Sequence, residues 1–367
     1  MTTTEIQQLP FYAKFAFILV ILISLGFLFY IGQSILSPLL LALLFAILLR
    51  PVTAFFTDKL HLPNVLASLI SVVLFSFVFV AIFYFITIQV ADMADDWGKI
   101  KRNLNIHYNH LQSYVTENFN FSKREQDAMV DDATSSSAES GKEIIGITLV
   151  TFTDTLLTMV LIPIYMFLIL LYRTHFTKFF SKLFHIKYHG VLQDVITTIK
   201  ISVQSYILGL LIELLIVSGL TTAGLLFLGV EYAILLGVIT GLLNLIPYIG
   251  ILIAGLLTII ASLTGSSELS VIIGIVVVNV VVQIIDNNLL VPWVVSSKVE
   301  INPLASIVGI VIGGGLGGVS GMFLAIPIMA MMKVIFDRIE SLEAWGYLLG
   351  DDLPRSFRWR RKPIPKE

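Results

Sequence analysis

The chain has 367 residues, 57% hydrophobic and 13% charged, with a mean hydropathy of +0.92 and a formal net charge of −2. Soluble domains carry about 25% charged residues, so this balance excludes an ordinary soluble fold, and a charge so near zero leaves no electrostatic footprint for nucleic acid. The lack of cysteine excludes disulfides, thiolate catalysis and cysteine metal sites.

A bilayer core about 30 Å thick takes roughly 20 apolar residues per helical span. Residues 15 to 29 and 66 to 88 are almost continuously apolar, unlike the alternating ten-residue strands of a membrane barrel. The sequence therefore predicts an all-α polytopic membrane protein. Lys14 is the only positive side chain before the first apolar run, which lacks a small-residue cleavage pattern and reads as a retained span. Span 1 is expected at 11–31 and span 2 from Pro38 to Arg50, the two forming a hairpin. Pro63 then opens span 3, which runs to about residue 90 and completes an N-terminal scaffold over 1–90.

Residues 91–143 hold ten acidic and six basic side chains and a Ser-rich stretch, and read as a soluble insertion. Met93, Trp97, Ile100, Leu104, His107, Leu111 and Tyr114 recur at helical spacing and form one apolar stripe. His107 and His110 have no third ligand beside them, so the stripe is read as helix surface and no metal site is assigned. Span 4 covers 144–172. The loop over 173–200 is basic, with Arg173, Lys178, Lys182, Lys187 and Lys200 against Asp194 alone.

The segment from 201 to 336 reads as a transport core with interrupted helices. Span 5 lies at 201–228. An apolar block over 233–264 is broken at Asn244, Pro247 and Gly250. Another span lies at 269–290, and a last block over 304–335 is interrupted by Gly313, Gly314, Gly315, Gly317 and Gly318, with Pro327 beyond them. Each block either crosses twice or enters and leaves on one face. About 16 residues per arm is short for a full crossing and comfortable for a re-entrant hairpin. Paired interrupted segments mark the solute site in many secondary transporters, because unwound backbone persists in a membrane only where it is buried or lines a cavity. The tail over 337–367 is basic. Counting Lys and Arg loop by loop places both termini, the 50–64 loop and the 173–200 loop in the cytoplasm, with the acidic insertion outside.

Glu213 sits midway along span 5, where an unpaired charge costs at least about 2.5 kcal/mol. Ser202, Ser205, Gly209 and Glu213 share one small, polar helix face. Glu213 is read either as a proton or cation site or as a hydrogen-bonded carboxyl that fixes packing. Asn279, Gln283 and Asp286, followed by Asn287, form a second polar face. It suits a polyhydroxylated solute or a hard cation, or caps a helix end. Glu213, Asn244, Gln283, Asp286 and Asn287 are thus the candidates for a solute or coupling-ion path, with Pro247, Gly250, the glycines of 313–318 and Pro327 as hairpin elements. Hydrolase, zinc-protease and phosphate-loop motifs are absent from the sequence. The reading is therefore non-enzymatic and cofactor-free, with any movement driven by a gradient.

Tyr206, Gly209, the run from Ile246 through Pro247, Tyr248 and Ile249 to Gly250, then Asp286, Asn287, Pro292, Lys298, Pro303, Gly313, Gly317, Gly321, Ala325 and Pro327 resemble the autoinducer-2 exporter family of bacterial permeases. The chain departs from the family's common pattern at Ile251, Ser297 and Asn302. The resemblance implies about eight transmembrane helices and export of a small signalling solute such as autoinducer-2 across a bacterial inner membrane, by an elevator-like movement in a homo-oligomer such as a pentamer. Some relatives look like sodium-proton antiporters, so a cation-proton antiporter using the two intramembrane acids is the alternative function, with sodium or a proton as the coupling ion. A membrane scaffold that binds partners through the 91–143 stripe is the rival from another class.

Overall fold

A computed structural model describes residues 10–96, 98–99, 102–103, 105–106, 160–247, 249–262, 268–295 and 301–351. Regular structure among them is entirely helical, and six helices are long and apolar enough to cross a membrane. The all-α polytopic class is the one expected. Most of the 91–143 insertion, including His107, His110 and the stripe beyond Met93, lies outside the described residues, as do the first half of span 4, Lys298 and the tail from 352.

The expected N-terminal hairpin is instead one helix, α1, Phe11–Asp58, of 48 residues with Pro38 and Pro51 inside it. At 1.5 Å per residue it is ~72 Å long. In water each proline would end the helix, but in a membrane no solvent receives the freed carbonyl, and continuing the ladder past a local defect is the cheaper solution. A short turn with His61 at φ +54° leads to α2, Asn64–Asp95. The two helices meet at fully buried hydroxyls: Thr53 donates to Ser71 Oγ at 3.2 Å, and Ser71 donates to the Ala67 carbonyl at 2.7 Å. Helix α3, Val160–Leu183, packs Met166 and Leu170 against Ala42, Phe45, Ala46 and Leu49 of α1. His189 Nε2 lies 2.8 Å from the Ser181 carbonyl and 3.2 Å from that of Phe184, closing the end of α3.

Helix α4, His189–Phe227, is the axis of the C-terminal half. Its face of Val203, Tyr206, Ile207 and Leu210 buries against Leu44 of α1 and Leu324, while Leu225 packs with Ala233, Leu236, Ala261 and Ile275. Next come two short helices, α5, Ala233–Asn244, and α6, Ile249–Ser262, joined by a tight turn. Helix α7, Leu269–Ile285, continues into a π-helical stretch, Asp286–Val295, that contains Pro292. The last long helix, α8, Pro303–Phe336, is broken at Gly317 and Gly318. A short α9, Glu343–Leu349, lies at its root.

Both interrupted blocks are hairpins. At 12 and 14 residues, α5 and α6 reach about 18 and 21 Å, less than a hydrocarbon core. In α8, a Cβ on Gly313 would collide with the Gly321 carbonyl and one on Gly321 with the Gly313 carbonyl. Residues eight apart in a straight helix stand about 12 Å apart, so the arms fold back and touch backbone to backbone. Gly317 at φ −143°, ψ 18° and Gly318 at φ 58°, ψ −143° make the bend, and the second conformation is open only to glycine.

Asn302 fastens the root of this hairpin. Its side-chain Oδ1 accepts from the Ala305 amide at 2.8 Å and caps α8, while its Nδ2 donates to the Leu348 carbonyl at 2.7 Å and the Gly350 carbonyl at 3.1 Å. Its backbone N–H donates to the Leu349 carbonyl at 2.9 Å. Arg338, just past the second arm, donates to Asp194 at 2.5 Å and to Thr198 Oγ1 at 2.9 Å, tying the same root to α4.

Candidate functional site

Three residues singled out on separate sequence segments converge. Glu213 lies on the buried face of α4 together with Tyr206, Gly209 and Val217. Asn244 is the last residue of α5, where the helix stops ahead of Pro247. Asp286 stands where α7 widens into the π-helical stretch. Asn244 Nδ2 donates one hydrogen to Glu213 Oε1 at 2.7 Å and the other to Asp286 Oδ2 at 3.2 Å. Glu213 is 5% exposed and Asp286 3% exposed, so both carboxyls are removed from bulk solvent.

Close helix packing puts Asn244 there, and the residues that permit it were not singled out in the sequence. A Cβ on Gly237 would collide with the Thr222 hydroxyl and the Ser218 carbonyl, and one on Gly241 with the Ser218 hydroxyl and the Leu214 carbonyl. Gly237, Gly241 and Asn244 follow at steps of four and three, on one face of α5. Residues 222, 218 and 214 of α4 oppose them in reverse order, and Asn244 meets Glu213, the neighbour of Leu214. The visible signal was the glycine pair four apart, the spacing that lets membrane helices approach closely. Gly250 plays the same part inside the hairpin: any side chain there would run into the Leu243 carbonyl, so the first turn of α6 passes directly beside the end of α5.

Two carboxyls share one amide nitrogen, and among the described residues none of the ion pairs involves either acid. Two negative charges at this depth need compensating positive charge, either a proton held between them or a cation. Oxygen atoms are available for a cation. Asp286 Oδ1 and Gln283 Oε1, one turn apart on the same helix, are buried without a hydrogen-bond partner. Asn287 is exposed and lies apart from this group, since the residue after Asp286 points away from the face that Gln283 and Asp286 share.

The second hairpin approaches the site through its arms. Ile246, in the turn after Asn244, packs with Ile310 and Ala325 from opposite arms of α8. Pro327 is buried in the second arm, and Gly314 lies against Met322. Gly315 has no atom within 4 Å of where its Cβ would stand. The bend itself reaches α1, where a Cβ at Gly317 would stand 3.3 Å from Phe29 and from Ser37 Oγ.

At the C-terminal end of α2, away from the acid cluster, Tyr232 donates to Asp96 Oδ2 at 2.8 Å and Lys99 Nζ lies 2.9 Å from Asp96 Oδ1. The Lys99 hydrogen bond, then that of Tyr232, holds the Asp96 carboxyl below the usual carboxylate range. Partial burial and then Asp96 push the Tyr232 hydroxyl up to about 12. Tyr232 adopts φ +56°, so this contact fixes a left-handed residue at the entrance to α5.

Comparison with known proteins adds a lineage to this geometry. The model of the AI-2E family of transporters matches residues 17–341. YueF of Bacillus subtilis, which carries the name of a transport protein, is 26% identical over 323 residues, covering 84% of this chain and 85% of its own. YrrI of the same organism, also named for transport, is 31% identical over 134 residues, 36% of this chain and 37% of its own. PerM of Escherichia coli (strain K12), which carries the name of a permease, is 27% identical over 212 residues, 57% of this chain and 60% of its own.

Proposed function

This chain belongs to the AI-2E family of membrane transporters, and we propose that it is a secondary transporter whose solute or coupling ion passes the Glu213–Asn244–Asp286 cluster. The observation that carries the reading is the double hydrogen bond of Asn244, which joins two buried acids on two other elements, one of them interrupted. A carboxyl pair bridged by a residue at a hairpin end changes its contacts whenever that hairpin moves, which is what alternating access requires. The solute fitting the resemblance is a small polyhydroxylated signal of the autoinducer-2 kind, exported across a bacterial inner membrane in a quorum-sensing role. The assembly in this proposal is a homo-oligomer such as a pentamer.

A specific observation favours a second reading, cation–proton exchange. The unpartnered Asp286 Oδ1 and Gln283 Oε1 add two oxygens to a site with two acids and no paired cation. Sodium and a proton would then compete for one charge-deficient cluster.

In this proposal the hairpins re-enter from opposite faces. The 59–63 turn, the 184–188 turn and the root of α8 share the cytoplasmic face with the basic segments. Because α1 is one helix rather than two, the same rule sets the start of α1 on the opposite face, in place of the cytoplasmic N-terminus expected from a hairpin.

Proteoliposomes holding the full chain separate the readings. Uptake of a labelled furanosyl solute that fails with Asp286→Asn supports solute transport through the cluster. A sodium-driven pH change without solute movement, lost in the same variant, supports exchange. Either activity surviving Asp286→Asn and Glu213→Gln unchanged removes the cluster from the path.

A further inference from the structure

Two arginines mark one level of the bundle from two different helices. In α1 no charged residue lies between Lys14 and Arg50, and in α3 Arg173 is the first charge after Asp154. Both helices run toward the same end of the shared core, in which Leu49 and Leu170 are the last members from each side. Arg50 follows Leu49 directly, with Val52 still packed on the core beyond it, and Arg173 stands one turn beyond Leu170, so both arginines end the uncharged stretch of their helices, near the boundary of the hydrocarbon layer.

Their electrostatic situation is incomplete. Arg50 Nη1 is buried and has no hydrogen-bond partner. The charges of Arg173 and Asp58 are close enough to act on it, yet among the described residues neither arginine forms an ion pair. Two guanidiniums and one carboxylate leave a net charge of +1, which matches a single phosphodiester. An anion between the arginines would satisfy the buried donor and remove the repulsion of like charges, and a guanidinium offers it a two-pronged contact.

The surroundings indicate where that anion comes from. Past Arg173 the helix exposes Phe176, Phe179, Phe180 and Leu183, with Lys178 and Lys182 between them. Aromatic and lysine side chains mixed in this way suit the headgroup layer of a bilayer, where one part of the surface is apolar and the other wet. A soluble anion would have to leave water to reach a site at the hydrocarbon boundary, whereas a lipid phosphate already sits there.

We propose that Arg50 and Arg173 form a binding site for the phosphate of an anionic phospholipid, in the leaflet that the 59–63 turn faces. The site lies apart from the acid–amide cluster and stands whether or not that cluster carries solute.

The test uses the purified full chain in neutral-lipid mixed micelles titrated with phosphatidylglycerol, reading the thermal unfolding midpoint and the lipid retained in native mass spectrometry. Phosphatidylglycerol should raise the midpoint at concentrations where phosphatidylcholine and inorganic phosphate do not. Arg173→Gln should weaken its apparent affinity about tenfold, the loss of one charge-assisted contact. Arg173→Lys, which keeps the charge but not the fork, should show a smaller loss and serves if the glutamine variant does not purify. Lys178→Gln should cost less than Arg173→Gln, because its amine belongs to the general headgroup layer and not to the arginine pair. An equal effect of phosphatidylcholine, an equal effect of inorganic phosphate, or an equal loss with Lys178→Gln would each overturn the site, as would unchanged affinity in both Arg173 variants.

Discussion

The two hairpins of the C-terminal half reverse the chain by opposite means. The α5–α6 hairpin turns at Pro247 and carries on its end an amide that binds two acids from other helices. The α8 hairpin turns on Gly317 and Gly318, holds its arms together by the bare backbones of Gly313 and Gly321, and meets α1 with no hydrogen bond from its bend. The first is held by polar chemistry. The second is held by the absence of side chains. A hairpin of the first kind stays in place while its charges are satisfied, and one of the second kind depends, beyond its polar root at Asn302 and Arg338, on how closely its surfaces fit.

Removing the polar tie is the strongest way to break that comparison. Asn244→Leu leaves two buried carboxyls without their shared donor and should destabilise the chain by about 3 to 5 kcal/mol. Thermal unfolding in detergent reads the loss, and adding Glu213→Gln should restore part of it by removing one acid. A stability that does not recover in the double variant would mean that Asn244 serves packing rather than charge. The glycine hairpin should break by volume alone: Gly313→Leu or Gly321→Leu should cost about 1 to 3 kcal/mol or more, with no rescue from any charge-neutralising change. A milder variant sharpens the point. Gly318→Ala places a side chain on a glycine-only conformation and should cost about 1 to 3 kcal/mol, at the low end if the bend can open, which a disulfide or spin-label distance between the arms would show.

The smallest effect concerns the outer contact of the first hairpin. Asp96 has its carboxyl held below the ordinary value of 3.8 by Lys99 and Tyr232. Its contribution is therefore fully present above that value and fades as pH falls through the lowered one. Tyr232→Phe or Lys99→Ala should flatten the acid limb of a stability profile slightly, and an unchanged limb in both would show that the contact is too solvated to matter.

Most of the acid cluster was legible because its members sit on helical faces. Glu213 shares a face with Gly209 and Ser205, and Gln283 with Asp286, so periodicity alone marked them. Asn287 was grouped with them by adjacency, and adjacency turns a side chain about 100° around a helix. The hairpins were legible from Pro247 and the glycines of 313–318. Whether their arms span fully was not, because length and composition allow two short crossings and a re-entrant pair of arms alike. The continuous α1 escaped because proline rules describe helices in water, where a broken ladder is rehydrated. Gly237 and Gly241 escaped because a glycine in a membrane helix has no side chain to display a pattern, and its meaning lies in the neighbour it admits. The partnership of Asn302 with Leu348, Leu349 and Gly350 spans a sequence separation that no local rule addresses.

That last feature has a consequence for how the chain comes apart. Asn302 begins α8 and ends α9 with the same side chain, so neither helix can fray at its root without releasing the other. Amide hydrogens at Ala305, Ser306 and Gly350 should consequently exchange with solvent as one cooperative unit. The turn over 348–350 thus acts as the knot that finishes the hairpin, and during synthesis the second hairpin would acquire its final protection only after residue 350 has left the ribosome.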